Sequence, residues 1–425
     1  IWNGLGYARD LSVNLDYKET WNNKKPQIYD LAGEGEIEWI YRQKQLEFQI
    51  NQVPALGYKV VRVELGDYEI EEEYTTTNSK VVDNDFFKLT FDQGNLSSIY
   101  DKRREMELVA KDKLANQLQF FVDQPPRYQA WEQVAEFEEE RISDKEIKLI
   151  DFEVRDYQLK QVVHLTHQFR DSIFEQEIIL YNNIDRIDFV NDVDWKEREV
   201  MVKVAFPVDI NSDQARYEIA YGNLVRSTTN NTDYEKAQFE VPGQRWVDLS
   251  QPGLGASLIT DCKYGYDVKD NQIRLTLLKG PNYPDETCDY GQHHFTYSFY
   301  AHNGIFYQSD LLEHAESLTN PPICRDIRPG SGDEKIIACR AQVARGNSRL
   351  EVLKESEDGE GQIIRLYEPY GAREKVEVLL DDSFNVETAQ IVNLLENSIE
   401  GEVKLEDNRL TFMMEPFEIK TIKLS

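Results

Sequence analysis

The sequence predicts an all-β protein, with a large antiparallel β-supersandwich flanked by smaller β-sandwich domains. Three observations carry this. Apolar and polar residues alternate over short runs, as at Leu11, Val13 and Leu15, which is the period of a strand with one buried face. Between residues 132 and 210 such runs follow one another almost without a break, with no helical period between them. A meander that long buries its apolar face only by folding into two packed layers.

Residues 1–70 are predicted to form the first small sandwich. After Leu11 to Leu15, the residues Trp39, Tyr41, Leu46, Phe48 and Ile50 repeat the alternation. Val53-Pro54-Ala55-Leu56-Gly57 reads as a turn, and 58–63 as another strand. Residues 66–85 are acidic and rich in Thr and Asn, and read as a linker.

The large sandwich is placed at 71–310. Its entry is a hairpin, in which Phe86 to Phe91 meets Asp92-Gln93-Gly94-Asn95-Leu96 and 98–102 returns. Strands are predicted at 118–122, 147–150, 162–168, 178–180, 184–190 and 200–208, with Asn182-Asn183 as a turn. In the stretch 245–297, Pro252-Gly253-Leu254-Gly255 is a turn, 256–259 a strand and 261–267 a polar, aromatic loop. Strands at 272–278 and 295–300 follow. The clearest helix is short, 309–318, capped by Ser309 or Asp310 and stopped by Pro321-Pro322. Residues 311–425 are predicted to be a terminal sandwich, with strands at 363–367, 376–380 and 417–424.

Composition narrows the partners. The 425 residues carry 48 basic and 78 acidic side chains, a net charge of −30, which repels phosphate backbones and anionic lipid heads. Nucleic acid and membrane surfaces are therefore not expected partners, whereas a neutral ligand meets no such repulsion. No apolar run approaches the roughly 18 residues that span a bilayer. Cys262, Cys288, Cys324 and Cys339 lack metal-binding or disulfide spacing, which points to a reduced, cytoplasmic setting. The chain begins at Ile1 and enters a strand at once, so it is expected to be a piece cut from a longer polypeptide.

Several constellations bear chemistry. Pro281-Asn282-Tyr283-Pro284-Asp285-Glu286-Thr287-Cys288-Asp289-Tyr290 and the following His293 and His294 crowd carboxylates, tyrosines and histidines into one loop. Asp285, Glu286 and Asp289 could supply a glycosidase carboxylate pair; a solvated acidic loop is the plainer reading. His293 and His294 are adjacent on a strand, and His164 and His167 are three apart on another, so each pair splits between opposite faces and is ill placed to share a metal. Gly253-Leu254-Gly255 has no helix behind it and reads as a turn, not a phosphate loop. Asp123-Gln124-Pro125-Pro126-Arg127-Tyr128-Gln129-Ala130-Trp131 offers aromatics on a loop, suited to stacking on sugar faces or to plugging a seam.

Long segments in a fixed order carry a family resemblance. Residues 2–10 (WNGLGYARD), 86–102 (FFKLTFDQGNLSSIYDK), 194–210, 217–250, 261–297, 363–371 (IIRLYEPYG) and 415–424 (EPFEIKTIKL) resemble the C-terminal β-rich part of glycoside hydrolase family 38, the α-mannosidases, in its cytosolic, vacuolar and bacterial branch. The resemblance implies a galactose mutarotase-like supersandwich within a zinc-dependent, retaining exo-α-mannosidase. It implies that nucleophile and zinc ligands lie in an N-terminal catalytic domain outside this chain, so no catalytic or metal-binding residue is assigned here.

The chain's partners would be that domain and mannose-containing glycans, with room for a homo-oligomer. By position, Asp123, Tyr128, Lys279, Asp285 and Asp289 are the implied substrate-binding residues. Relatives often carry Arg where Lys279 stands, and Lys gives a point donor rather than a planar fork. Two rival readings are a self-sufficient carbohydrate-binding module and an epimerase, which would need a His and a carboxylate converging in one cleft.

Overall fold

A computed structural model describes residues 1–33, 35–327 and 335–425. The chain divides into two compact units, one of residues 74–219 and 224–319, the other of 1–73, 220–223 and 320–425. Both are built from antiparallel sheets, so the protein is all-β.

The larger unit is a two-layer sandwich. Its ten-stranded sheet runs, in lateral order, Gly222–Ser227, Gln214–Ile219, Trp246–Gln251, Leu254–Thr260, Gly291–His302, Arg186–Trp195, Ser172–Tyr181, Lys160–Phe169, Ile147–Asp156 and Thr75–Thr77. The opposing five-stranded sheet runs Gln117–Val122, Val200–Pro207, Gln272–Lys279, Gly265–Lys269 and Val241–Pro242. One core lies between them: Phe174, Ile178, Phe189, Tyr297 and Phe299 from the first sheet face Phe120, Val202, Val204, Phe206 and Leu275 from the second. The expected entry hairpin is present as Phe87–Asp92 and Asn95–Asp101, paired through Leu89 and Ile99.

The smaller unit holds two cores. Leu11, Val13, Ile28, Leu46 and Phe48 form one, and Ile364, Val376, Leu410, Phe412 and Ile422 another. The Gly57–Lys59 strand joins the chain ends, pairing Trp2–Asn3 on one side and Ile337–Cys339 on the other. Residues 1–73 and 320–425 therefore share one unit, whereas the sequence reading treats 1–70 and 311–425 as separate sandwiches.

Four local expectations change. The 66–85 stretch contributes strands, since Val61–Glu69 runs into it, Thr75–Thr77 edges the large sheet and Val81–Asp83 pairs with Phe87–Asp92. Thr is a good strand former, and its polarity suits an exposed edge. The 261–267 loop ends early, because Gly265–Lys269 is a strand with Tyr266 and Asp267 fully buried. The turn at 252–255 is only Pro252 and Gly253, as Gln251 already pairs with Leu254. The helix spans Leu311–Thr319, belongs to the larger unit and packs on the Leu254–Thr260 strand.

Candidate functional site

Strand alternation gives the five-stranded sheet an inner apolar face and an outer face of another character. Met201 and Lys203 point outward from one strand, Arg274, Thr276 and Lys279 from its neighbour, Asp267 from the next. The 131–141 connection covers them, with Phe137 packed against Phe121 and Met201. Beneath it lies a layer of paired charge. The fully buried Lys203 ammonium reaches Asp267 at 2.9 Å and also Glu240. Arg274 donates to Asp267 at 2.6 Å and also pairs with Glu138. Thr276 Oγ1 donates to Glu240 at 2.6 Å. The buried Asp267 carboxylate is held by both cations and offers neither a nucleophile nor a general acid to solvent, while Glu138, on the covering connection, is exposed.

At one end of this sheet two loops meet, 123–132 and 280–290. Asp123 is wholly buried, and its carboxylate lies 3.2 Å from the Lys279 ammonium. Burial raises the Asp123 proton affinity, against the pull of Lys279. The Lys279 ammonium also donates to the Glu132 carbonyl. The two residues thus clamp the base of the first loop, and Asp123 presents no surface to a ligand.

Tyr128 is half exposed, with its ring centroid 6.3 Å from Trp131 and 6.4 Å from Tyr283. Asp285 is exposed and accepts from the Thr287 backbone N–H at 2.9 Å and its hydroxyl at 3.1 Å. Asp289 is half-buried, and burial holds its carboxyl above the ordinary value against His293 and Lys263. Of the five implied residues, Tyr128 and Asp285 are exposed, Asp289 and Lys279 are partly buried, and Asp123 is wholly buried.

Sequence reasoning missed Glu199, which ties the two loops. Its carboxylate accepts from Gln124 Nε2 at 2.7 Å and Gln129 Nε2 at 3.0 Å. Its backbone carbonyl accepts from Asp123 N–H at 2.8 Å, and its own N–H donates to the Gly280 carbonyl. Gln129 Oε1 in turn accepts from Asn282 N–H at 2.7 Å, and Ala130 N–H donates to the Tyr283 carbonyl at 3.1 Å. Gly280 is required there, because a Cβ would collide with the Glu197 carbonyl oxygen. A short helix, Asp233–Ala237, was also missed, although Thr232 and Glu235 form the capping box that their spacing announces.

Of the remaining candidates, the adjacent histidines of the Gly291–His302 strand split between its faces, and the His294–Asp192 pair is exposed. His293 bonds the Asp289 carbonyl at 2.7 Å, and His294 meets Asp192 at 2.7 Å on the other face. His302 Nε2 lies 2.8 Å from Asp248 Oδ1, which also accepts from Ser257 Oγ at 2.7 Å. Ser257 bonds the carboxylate rather than the imidazole, and all three residues are buried, so this is neither a nucleophilic triad nor an open His–carboxylate pair. Burial and Asp261 push the thiol of Cys262 up to about 12, although the residue is exposed. Among the described residues no group of three or more His, Cys, Asp or Glu is arranged to hold a metal ion. Among the described residues no helix is long and apolar enough to cross a membrane.

Fold and site together define a class, an all-β protein of packed antiparallel sheets whose larger unit carries a polar and aromatic loop surface. Family models place it further. Residues 82–287 match the glycosyl hydrolases family 38 C-terminal domain, and residues 347–422 match the family 38 C-terminal β-sandwich domain. The chain belongs to glycosyl hydrolase family 38 and carries its C-terminal domains.

It is 32% identical to α-mannosidase 2C1 of Mus musculus over 82% of this chain and 34% of the relative. Against the Homo sapiens protein of the same name it is 31% identical over 88% of this chain and 36% of that one. Against α-mannosidase G of Dictyostelium discoideum it is 29% identical over 88% of this chain and 34% of the relative. The chain thus spans about a third of the length of these curated relatives. A crystal structure of an α-mannosidase from Enterococcus faecalis V583 shares the fold, with a TM-score of 0.76 at 13% identity over 100% of this chain and 55% of that one.

Proposed function

We propose that the chain is the non-catalytic C-terminal β portion of a cytoplasmic, zinc-dependent, retaining exo-α-mannosidase that removes terminal α-mannose from glycans. The observation that carries this is the pair of family matches in a chain that spans a third of its α-mannosidase relatives.

Zinc would supply electrostatic and positioning help in that part. The described residues here do not fit it, and its ligands belong to the N-terminal catalytic domain that this chain buttresses. Tyr128, Asp285 and Asp289 are assigned to the wall of the sugar cleft. Asp123 and Lys279 support that wall from behind. The exposed aromatics at 128, 131 and 283 also suit a free-standing carbohydrate-binding module, the second reading.

The test is hydrolysis of an aryl α-mannoside with added zinc, by the full reading frame and by residues 1–425 alone. Activity is expected only in the full reading frame. Turnover by the short chain would overturn the non-catalytic assignment. An inactive full reading frame would sink the enzyme reading and leave the binding module.

A further inference from the structure

We propose that Tyr128, Trp131 and Tyr283 form a binding site for the carbon-bearing face of a hexopyranose, and that Glu199 is the positioning residue that assembles it. The proposal rests on the glycan-cleft reading and adds the stacking surface and its support.

Large aromatics are ordinarily buried, yet Trp131 is 70%, Tyr283 54% and Tyr128 53% exposed. They touch one another: the Tyr128 ring meets Trp131 at 77° and Tyr283 at 56°. Rings inclined so steeply form a corner rather than a plate. A corner suits a thick, puckered ring that stacks on one wall and meets another edge-on, better than it suits a flat aromatic ligand. The surface charge of −30 disfavours anions. The Asp285 carboxylate, two residues beyond Tyr283 on the same loop, is exposed and is the kind of acceptor the hydroxyl edge of a sugar requires.

The corner is built from two loops far apart in sequence, and Glu199 joins them. Its carboxylate holds Gln124 and Gln129 on the first loop; its N–H holds Gly280 at the root of the second. Both Tyr128 (φ 50°) and Glu199 (φ 54°) sit in the left-handed region. That region is unfavourable for such side chains and persists only where surroundings impose it. The Tyr128 carbonyl accepts from both Trp131 and Glu132 N–H, at 2.8 and 2.9 Å, so its strained backbone sets the angle between its ring and Trp131.

The experiment uses the full reading frame. Trp131→Ala, Tyr283→Ala, Glu199→Ala and Glu199→Gln are compared in KM and kcat on a mannose disaccharide. Acrylamide quenching of Trp fluorescence is read with and without methyl α-mannoside, and Trp131→Phe identifies the Trp131 signal. The expected result is that Trp131→Ala and Glu199→Ala raise KM about three- to tenfold with kcat little changed. Glu199→Gln should fall between them and wild type. The sugar should shield Trp131 in wild type and lose that effect in Glu199→Ala.

A uniform loss of kcat with unchanged KM would show Glu199 to be merely structural and overturn its assignment. Unchanged KM in an active enzyme, or a Trp131 already shielded without sugar, would overturn the stacking site and leave the glycan-cleft reading standing. If the wild-type frame hydrolyses no mannoside, that reading fails. Methyl α-mannoside protection of Trp131 then decides the site by itself, with its presence supporting the site and its absence overturning it.

Discussion

The Asp123 carboxylate is buried 3.2 Å from the Lys279 ammonium, and burial raises its proton affinity more than the cation lowers it. The sign of its pH dependence follows. A carboxyl with a raised folded pKa contributes stability fully present below its unfolded pKa and lost as pH rises through the folded one. The stability gap between wild type and Asp123→Asn should therefore move in favour of wild type as pH falls from neutral toward about 4. Urea midpoints across that range measure it; a flat or shrinking gap would show that the lysine, not burial, dominates. Neither fact was legible in the sequence. An Asp after a strand and a Lys at the end of another read as surface ligands, because residue type says nothing about which loop folds over them. Glu199 was still less legible, since its role depends on a left-handed backbone that Glu seldom adopts.

At the scale of an element, every residue of the Val200–Pro207 strand is buried, although its outer face carries Lys203. The near-continuous run Val-Met-Val-Lys-Val-Ala-Phe-Pro made the strand readable, and the lone Lys was the sign that its outer face is covered by partners rather than water. Losing one partner of a buried pair leaves an uncompensated charge, whereas replacing both with apolar groups is often tolerated. Lys203→Met should therefore cost about 3–5 kcal/mol. Adding Glu240→Leu should restore a large part of that loss, because Asp267 keeps Arg274. Equal loss in the single and double variants, by chemical denaturation, would contradict this. The opposite error occurred at 261–267, where Tyr and Asp read as loop residues. Tyr266 is in fact a core aromatic, and Asp267 a counterion whose partner Lys203 lies 64 positions away.

Across the whole molecule, alternation made the all-β class and most strands readable, because a two-residue period needs only local sequence. The grouping of residues 1–73 with 320–425 was not readable, since it depends on strand pairs joining the two ends of the chain. The signal was Gly57. Its neighbours look like a turn, but a Cβ there would overlap the Ala338 carbonyl oxygen, so the glycine is needed where the Gly57–Lys59 and Ile337–Cys339 strands come together. Gly57→Ala should push those strands apart and destabilise the unit by about 1–3 kcal/mol. Because one strand is hydrogen-bonded to both Trp2–Asn3 and Ile337–Cys339, the loss should reach both cores of that unit. Amide hydrogen exchange is expected to quicken together in Gln45–Val53 and in Gln362–Tyr367, while Ser172–Tyr181 in the other unit keeps its protection. Faster exchange in Gln45–Val53 alone would mean that the two cores open independently, and that residues 1–73 form a separate sandwich after all.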